Sequence, residues 1–244
     1  MIYVLLGVSL LFVIIGFIVT EGNAQYLLAG YNTMREEDRK KVDISALISF
    51  FRRFHLFLGI SLLLLGTATS YLISEEAGGI FLALYPILAY LYFIVIARKY
   101  SRGVGKVGNS ISIIILAVTL LAVAGLLGYG LQENALIIEP SAVIIKGNYG
   151  ETLTAADIAG IALVDQPPKI SYKTNGFALG SARKGYFRTS DQEVVKLILN
   201  ANQEPVILFT KTDGKKIYYS AKRASNEEII DEIQQALPDK VQTP

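Results

Sequence analysis

The sequence of Phe54–Ile73 is FHLFLGISLLLLGTATSYLI, a run of twenty residues without Asp, Glu, Lys or Arg. A helix of about 20 apolar residues crosses the ~30 Å hydrocarbon core of a bilayer. Three further stretches share this length and this lack of charge: Met1–Thr20, Gly79–Ala97 and Ser110–Leu131. Because lipid offers no partner for backbone N–H and C=O groups, each stretch should be a helix. The sequence therefore predicts a membrane all-α domain of four transmembrane helices at residues 1–131.

The composition indicates a membrane protein with a more polar C-terminal part. Hydrophobic residues make up 52% of the chain, and of its 21 acidic residues seven precede Gln132 and 14 follow it. The chain has no cysteine, which excludes disulfides, thiol catalysis and Cys-ligated metals. No basic residue precedes Ile2 and no A-x-A motif follows the first apolar stretch. We therefore expect a retained anchor there, not a cleaved signal peptide.

Lys and Arg are unevenly distributed among the connections between the apolar stretches. The connection Ser74–Gly78 has none, whereas the first and third connections together carry ten. Basic residues concentrate in cytoplasmic loops. We therefore expect a multi-pass protein of the bacterial plasma (inner) membrane whose N-terminus and C-terminal domain are extracytoplasmic. The opposite orientation stays open, because whole domains sometimes override the loop rule. The ten basic residues are Arg35, Arg39, Lys40, Lys41, Arg52, Arg53, Arg98, Lys99, Arg102 and Lys106.

Residues 32–53, between the first two apolar stretches, are predicted to form a cytoplasmic amphipathic loop. Thr33 and Glu36 have the spacing of a capping box, which predicts a short helix to about Lys41. Asp43 can cap a second helix. That helix has one apolar face and should lie along the inner leaflet before the second span. Its apolar residues are Ile44, Leu47, Ile48 and Phe51.

A six-residue segment, Ala29–Met34 (AGYNTM), precedes this charged loop. Gly30 and Asn32 both tolerate positive φ, so a tight turn is expected here. With the charged helix and Asp43, the turn resembles the signature of an uncharacterised bacterial family of small membrane proteins. The resemblance covers about residues 1–100 and implies no particular activity.

Part of the same turn, Gly30-Tyr31-x-Thr33, is similar to the G-Y-R-T turn of a bacterial immunity and signal-transducing membrane family. Asn32 stands where that family has Arg. The turn is then either a joint between two spans, which we favour, or a binding or catalytic turn. The candidate binding residues are Gly30, Tyr31, Asn32, Thr33 and Asp43.

After Asn134 the pattern changes to short runs rich in Ile, Val, Tyr and Phe, which predict about seven strands. Asp213-Gly214 is a hairpin signal. Ser225 and Glu228 form a capping box for a closing amphipathic helix that ends before Pro238. We expect a small barrel or sandwich capped by this helix at 134–238, and a flexible tail at 239–244. The predicted strands are Leu136–Ile138, Val143–Lys146, Ile158–Val164, Lys169–Tyr172, Gly185–Arg188, Val194–Leu199, Val206–Thr210 and Lys216–Tyr219.

Strands followed by one C-terminal helix resemble the pleckstrin-homology-like (PH-like) fold, in particular its bacterial branch. This resemblance implies a ligand- or protein-binding module that is often membrane-attached and sometimes oligomeric. Eukaryotic members bind inositol phosphates through a basic first loop, but here the segment near Glu139-Pro140 is short and acidic. The resembling residues are Asp157-Ile158, Ile161–Asp165, Pro168, Thr174–Phe177, Gly180, Gly185–Phe187 and Pro205–Thr210.

Basic and aromatic residues are interleaved in the middle of this C-terminal part. Such mixtures bind nucleic acid or anionic headgroups. The alternative, which we favour, is a hairpin whose polar face carries the charges and whose aromatic face enters the core. The aromatic residues are Tyr172, Phe177, Tyr186 and Phe187. The candidate binding residues are Lys169, Lys173, Asn175, Arg183, Lys184 and Arg188.

The sequence gives little support for catalysis. A nucleophilic triad needs a base beside the nucleophile, and the only histidine, His55, is expected at the headgroup interface of the second span. We expect no cofactor, no metal and no nucleic-acid partner. The function that fits best is a membrane-anchored binding or assembly module whose partners are the bilayer and another envelope protein or a second copy. A signalling or immunity-type component acting through Gly30–Met34 is the alternative, and a small-molecule transporter or membrane enzyme is third.

Overall fold

A computed structural model of the chain describes residues 1–101, 104 and 106–241. Arg102, one of the basic residues used for the orientation, lies outside the described residues. The chain divides into two compact units, Met1–Leu126 and Leu127–Pro244. The first unit is helical, and the second contains the last turn of a long helix followed by β-sheet.

Six α-helices precede the sheets in the part of the chain that the structure describes. A short 3-10 helix, Arg98–Ser101, follows the fifth of them. The α-helices are α1 (Ile2–Ile18), α2 (Ala24–Leu27), α3 (Glu36–Arg39), α4 (Ile44–Leu72), α5 (Glu75–Ala97) and α6 (Lys106–Leu131).

Three helical segments of the described chain are long and apolar enough to cross a membrane: Ile44–Leu72, Glu75–Ser101 and Ser110–Leu131. Helices of this length and composition fit a membrane protein. The first expected span corresponds to α1, which has 17 residues and rises about 25 Å at ~1.5 Å per residue. The helix α1 is therefore apolar but shorter than the other three.

Helix α4 corrects the expectation of a separate amphipathic helix before the second span. Asp43 caps α4, since its Oδ1 accepts a hydrogen bond from the N–H of Ala46 at 3.1 Å. The helix then continues for 29 residues without a break. Leu47 and Phe51 are buried among side chains of the helical unit. Apolar residues of the segment 44–51 therefore pack on other residues of the helical unit.

Small residues let α1 and α4 approach closely. A Cβ added at Gly59 would lie 2.7 Å from the carbonyl oxygen of Ser9, and one added at Gly66 would lie 2.6 Å from Leu5. Such contacts are typical of helix pairs in membranes, where close backbone packing replaces the hydrophobic effect.

His55 is fully buried in the helical unit. Its Nδ1 lies 2.8 Å from the carbonyl oxygen of Phe51, and its Nε2 lies 2.8 Å from the hydroxyl of Tyr90. Both ring nitrogens therefore have a partner within the helix pair α4–α5.

The C-terminal unit contains two sheets. The first is antiparallel with the order β1-β2-β3, and the second has the order β4-β8-β9-β7-β6-β5, in which only β7 and β9 are parallel. The strands are β1 (Leu136–Glu139), β2 (Ala142–Ile145), β3 (Glu151–Thr154), β4 (Ile158–Val164), β5 (Ile170–Leu179), β6 (Ala182–Thr189), β7 (Val194–Leu199), β8 (Val206–Lys211) and β9 (Lys216–Ser220).

Two strands differ from the sequence prediction. Strand β3 was not predicted, because Leu153 is its only large apolar residue. Strand β5 continues seven residues beyond the predicted end at Tyr172, to Leu179, and its pairing with β6 contains two register shifts. The predicted hairpin at Asp213-Gly214 is confirmed, with Gly214 at φ +83° between β8 and β9.

One helix, α7 (Asn226–Ala236), closes the sheet unit as predicted. The Ser225 side chain accepts hydrogen bonds from the N–H groups of Glu227 and Glu228. Ile230 and Ile233 enter a core shared by both sheets. Beyond α7, the N–H of Ile161 in β4 donates to the carbonyl oxygen of Lys240, and Val241 forms a parallel bridge with Ile161. Residues 242–244 of the expected flexible tail lie outside the described residues.

Candidate functional site

The Ala29–Met34 segment forms the expected turn, with Gly30 at φ +85°. Arg39 holds it in place: its Nε donates to the carbonyl oxygen of Tyr31 at 3.2 Å, and its Nη2 donates to that of Asn32 at 2.7 Å. The Arg39 guanidinium also lies 5.8 Å from the Tyr31 ring centroid. Arg39 therefore contacts two consecutive carbonyl groups and the aromatic ring of the turn.

The predicted capping box is not formed. The Thr33 hydroxyl donates to the carbonyl oxygen of Gly30 at 3.4 Å, and α3 begins after Arg35 without a side-chain cap. Asp43 is occupied as the cap of α4. These interactions engage two of the candidate binding residues within the loop itself.

An open depression of about 560 Å³ lies beside the turn. It carries charges of both signs, from Glu36, Arg39 and Lys40. Its lining residues are Gln25, Tyr31, Met34, Glu36, Arg39 and Lys40.

The second group of candidate residues lies on the β5–β6 hairpin, which separates its members. Lys169, Lys173 and Asn175 are exposed, and Arg183 is half-buried. Phe187 enters the core, but Tyr172 and Tyr186 are exposed. The favoured hairpin interpretation therefore holds for Phe187 and not for the two tyrosines.

Lys184 is fully buried and donates to the carbonyl oxygen of Gln132, just beyond α6. Burial lowers the pKa of its ammonium group to about 8, and the positive charge of Lys222 adds to the effect, while Glu133 opposes it. Lys184 is therefore a structural residue, not part of an exposed basic surface.

The exposed side of the hairpin is organised by contacts between aromatic and polar groups. The Arg188 guanidinium lies 6.0 Å from the Tyr172 ring centroid and donates to the Gln192 carbonyl oxygen at 2.8 Å. The Tyr149 hydroxyl donates to Asn175 Oδ1 at 3.0 Å. Arg188 and Asn175 are therefore held in place, whereas Lys169 and Lys173 extend from the hairpin without a described ion pair.

Asn134 stands where the strand pattern of the C-terminal part begins, and the sequence predicts no further role for it. It is fully buried, and its Nδ2 donates to the carbonyl oxygens of Lys146 at 2.7 Å and Asn148 at 2.8 Å. Its own carbonyl oxygen accepts from the Tyr219 hydroxyl at 3.0 Å and from Asn200 Nδ2 at 3.2 Å. Asn134 therefore fixes the start of the sheet domain to three of its strand ends.

The ion pairs of Glu151 were also not predicted from the sequence. Glu151 forms ion pairs with Lys196 and Lys211, which come from two different strands. Burial opposes its ionisation, but hydrogen bonds from both lysines outweigh that effect and lower the pKa of the carboxyl. A polar strand such as β3 gives no sequence signal for this pairing.

Among the described residues, no group of three or more His, Asp and Glu side chains could hold a metal ion. Comparison with protein families shows that residues 6–101 match a family described as Domain of unknown function (DUF3784). The matched region contains the AGYNTM turn and ends at the 3-10 helix. Comparison with curated proteins finds no match. Comparison with solved structures finds none either.

Proposed function

We propose that this chain is a multi-pass protein of the bacterial plasma membrane that presents its sheet domain outside the cytoplasm as a binding module, without chemistry of its own. The observation that carries the proposal is the exposed outer edge of strand β5. Within the described chain β5 pairs with β6 alone, and its residues Ser171–Asn175 are all exposed. An unpaired strand edge is a template for another strand.

The partner we propose for β5 is an extended, acidic segment of another envelope protein or of a second copy, added as a strand. Strand addition takes its affinity from main-chain hydrogen bonds and its specificity from alternate side chains. Lys169 and Lys173 are exposed here, which favours a partner with carboxylates. Tyr172, 52% exposed, offers an aromatic contact on the same strand.

The proposed extracytoplasmic location depends on the apolar segment Ser110–Leu131. Lys99 and Lys106 belong to the basic connection before the apolar segment Ser110–Leu131. If that connection is cytoplasmic, one crossing places the sheet domain on the other side, whether or not α1 also spans. We propose that α1 also crosses the membrane, which makes four spans in total. It is apolar throughout, and the ~5 Å by which it falls short of the hydrocarbon core is within the range that bilayers accommodate by local thinning.

The PH-like likeness belongs to the same proposal. It is supported by the order of strands followed by one closing helix, α7. The parallel pair β7–β9 departs from a simple antiparallel meander.

The proposal is tested by photo-crosslinking in intact cells. A photoreactive residue at Tyr172 should give a specific adduct, and the mass of the adduct separates a second copy from another protein. The matched control is Lys215, whose side chain is 73% exposed in the β8–β9 turn. No adduct at Tyr172, or equal adducts at both positions, contradicts the proposal. Lys173→Glu should reduce the adduct at Tyr172, because it reverses a charge on the same edge.

A second candidate is a signalling component that acts through the Gly30–Met34 turn. The observation in its favour is the dependence of the turn on Arg39, which holds two consecutive carbonyl groups. A protein that keeps its fold and loses its cellular phenotype on Asn32→Ala favours this candidate, and an unchanged phenotype favours the binding module.

A further inference from the structure

The C-terminal end of α6 is in direct contact with the sheet domain. Asn148 Nδ2 donates to the Tyr129 carbonyl oxygen at 2.7 Å. The Phe177 ring packs so closely on Gly130 that a Cβ there would overlap it. Lys184 donates to the carbonyl oxygen of Gln132. Three separate parts of the domain therefore meet the last turn of this helix.

The end of α6 is also the end of an apolar span. The segment Ser110–Leu131 has no charged residue, and Glu133 is the first charge after it. Tyrosines concentrate where a span reaches the membrane–water interface. Tyr129 lies in the last turn of α6, and its carbonyl oxygen accepts from Asn148, the neighbour of Tyr149, whose ring lies edge to face with Tyr186 at 6.1 Å. If Ser110–Leu131 crosses the bilayer, the domain residues that touch positions 129–132 lie at the level of the lipid headgroups.

The β5–β6 hairpin has one end at this level and one end away from it. Leu179 and Ala182 pair at its tip, and Arg183 pairs with Leu199, next to the Asn200 that bonds Asn134. Tyr172 lies seven residues before Leu179 in the same strand. At ~3.3 Å per residue the two are about 20 Å apart.

Four basic residues, three of them exposed and Arg183 half-buried, surround the end of the domain next to α6. Each lies beside a group that contacts residues 132–135, and Glu133 is the acidic residue among them. We call this set the basic rim: Lys146, Arg183, Lys222 and Arg223. Acidic residues at this end, Asp165 and Glu204, follow β4 and precede β8, at the opposite side of the sheet from β5.

We propose that this end of the sheet domain rests on the bilayer surface, with the hairpin tip Leu179–Ala182 in the interfacial zone and the basic rim on anionic lipid headgroups. A basic residue near an anionic surface contributes about 1 kcal/mol, so four cations bias the domain toward one orientation. The end of the hairpin at Tyr172 then stays in solvent. The surface contact leaves the outer edge of β5 free along Ser171–Lys173.

Because the chain has no tryptophan, single-tryptophan variants report on this surface without background. Leu179→Trp and Ala178→Trp place the reporter at the hairpin tip, and Tyr172→Trp is the matched control on the same strand. Each full-length variant is reconstituted into phosphatidylcholine vesicles with phosphatidylglycerol, whose acyl chains are brominated near the headgroup. We expect quenching and blue-shifted emission for the tip reporters and neither for Tyr172→Trp. Equal quenching at the tip and at position 172, or none at the tip, overturns the proposal.

The charge dependence is tested separately. Arg183→Glu with Lys222→Glu, in the Leu179→Trp background, should lower the quenching toward the level of Tyr172→Trp in vesicles with phosphatidylglycerol. Lys215→Glu, in the β8–β9 turn, should leave it unchanged. Quenching that does not respond to the rim substitutions overturns the role of anionic headgroups, and a vesicle series without phosphatidylglycerol should reproduce the loss in the unsubstituted rim.

Discussion

Replacing Asn134 by alanine should destabilise the sheet domain strongly for a single truncation. The Asn134 side chain donates to the carbonyl oxygens of Lys146 and Asn148, and the residue is fully buried. A buried polar group left without its partner costs about 1–3 kcal/mol. Two such carbonyls, each partly reachable by water, give a loss of about 2–4 kcal/mol. The backbone bonds from Tyr219 and Asn200 remain, so the variant should still fold.

Hydrogen–deuterium exchange of the full-length protein in nanodiscs measures this loss. A destabilisation of about 3 kcal/mol accelerates globally limited exchange about 100-fold, and the effect should appear in peptides from β2, β7 and β9 together. Asn134→Asp should be worse, because it places a carboxylate against two carbonyl oxygens. The matched control is Asn202→Ala, at an exposed position in the β7–β8 connection. Equal exchange in the Asn134→Ala and Asn202→Ala variants would refute the reasoning.

Three further predictions follow from single contacts. Lys184 has a pKa of about 8 in the folded state against 10.5 when unfolded. Because the unfolded state binds more protons between these values, the stability of the domain should rise with pH from about 8 to 10. In thermal unfolding, the Lys184→Met variant should lose this rise. Gly59→Ala should lower the free energy of unfolding by about 1–3 kcal/mol in thermal unfolding of detergent-solubilised protein, since the added Cβ would meet Ser9. The control Gly125→Ala should be neutral, because nothing lies within 4 Å of its added Cβ. Equal effects of the two substitutions would contradict the close α1–α4 contact. Arg39→Gln should accelerate hydrogen exchange in Leu28–Met34, because the Arg39 side chain donates to the carbonyl oxygens of Tyr31 and Asn32. The exposed control Arg35→Gln should not.

Elements with a regular apolar pattern and a local end signal were predictable from the sequence. The strands Ile158–Val164 and Val194–Leu199 have the predicted bounds. Asp43 and Ser225 cap the helices that they were predicted to cap. In these cases the signal and the structure that it forms lie within a few residues of each other.

Features that depend on distant partners were not predictable. Strand β3 is polar and is defined by its pairing with β2. The contact between His55 and Tyr90 was not predicted, because the two residues lie 35 positions apart in the sequence. The aromatic and basic residues of the hairpin were treated as one group, although Lys184 is buried and Lys173 is exposed. Alternation along a strand does not tell which face another element covers.

The candidate sites show the same limit. The sequence drew attention to Asn32 and Thr33, and the structure adds Arg39 as the residue that fixes their turn. It drew no attention to Asn134, because an isolated asparagine after an apolar helix is typical of any loop. Its role becomes visible only when Lys146, Asn148 and Tyr219 are brought to it.

The location of the sheet domain is tested most directly by cysteine labelling in intact cells. The chain has no cysteine, so Lys215→Cys in the sheet domain and Lys41→Cys in the first basic connection each provide one thiol. Both side chains are exposed, at 73% and 57%. With a membrane-impermeant maleimide, and the outer membrane permeabilised where one is present, position 215 should be labelled in intact cells and position 41 only after lysis. Labelling of position 41 but not 215 in intact cells would contradict the account.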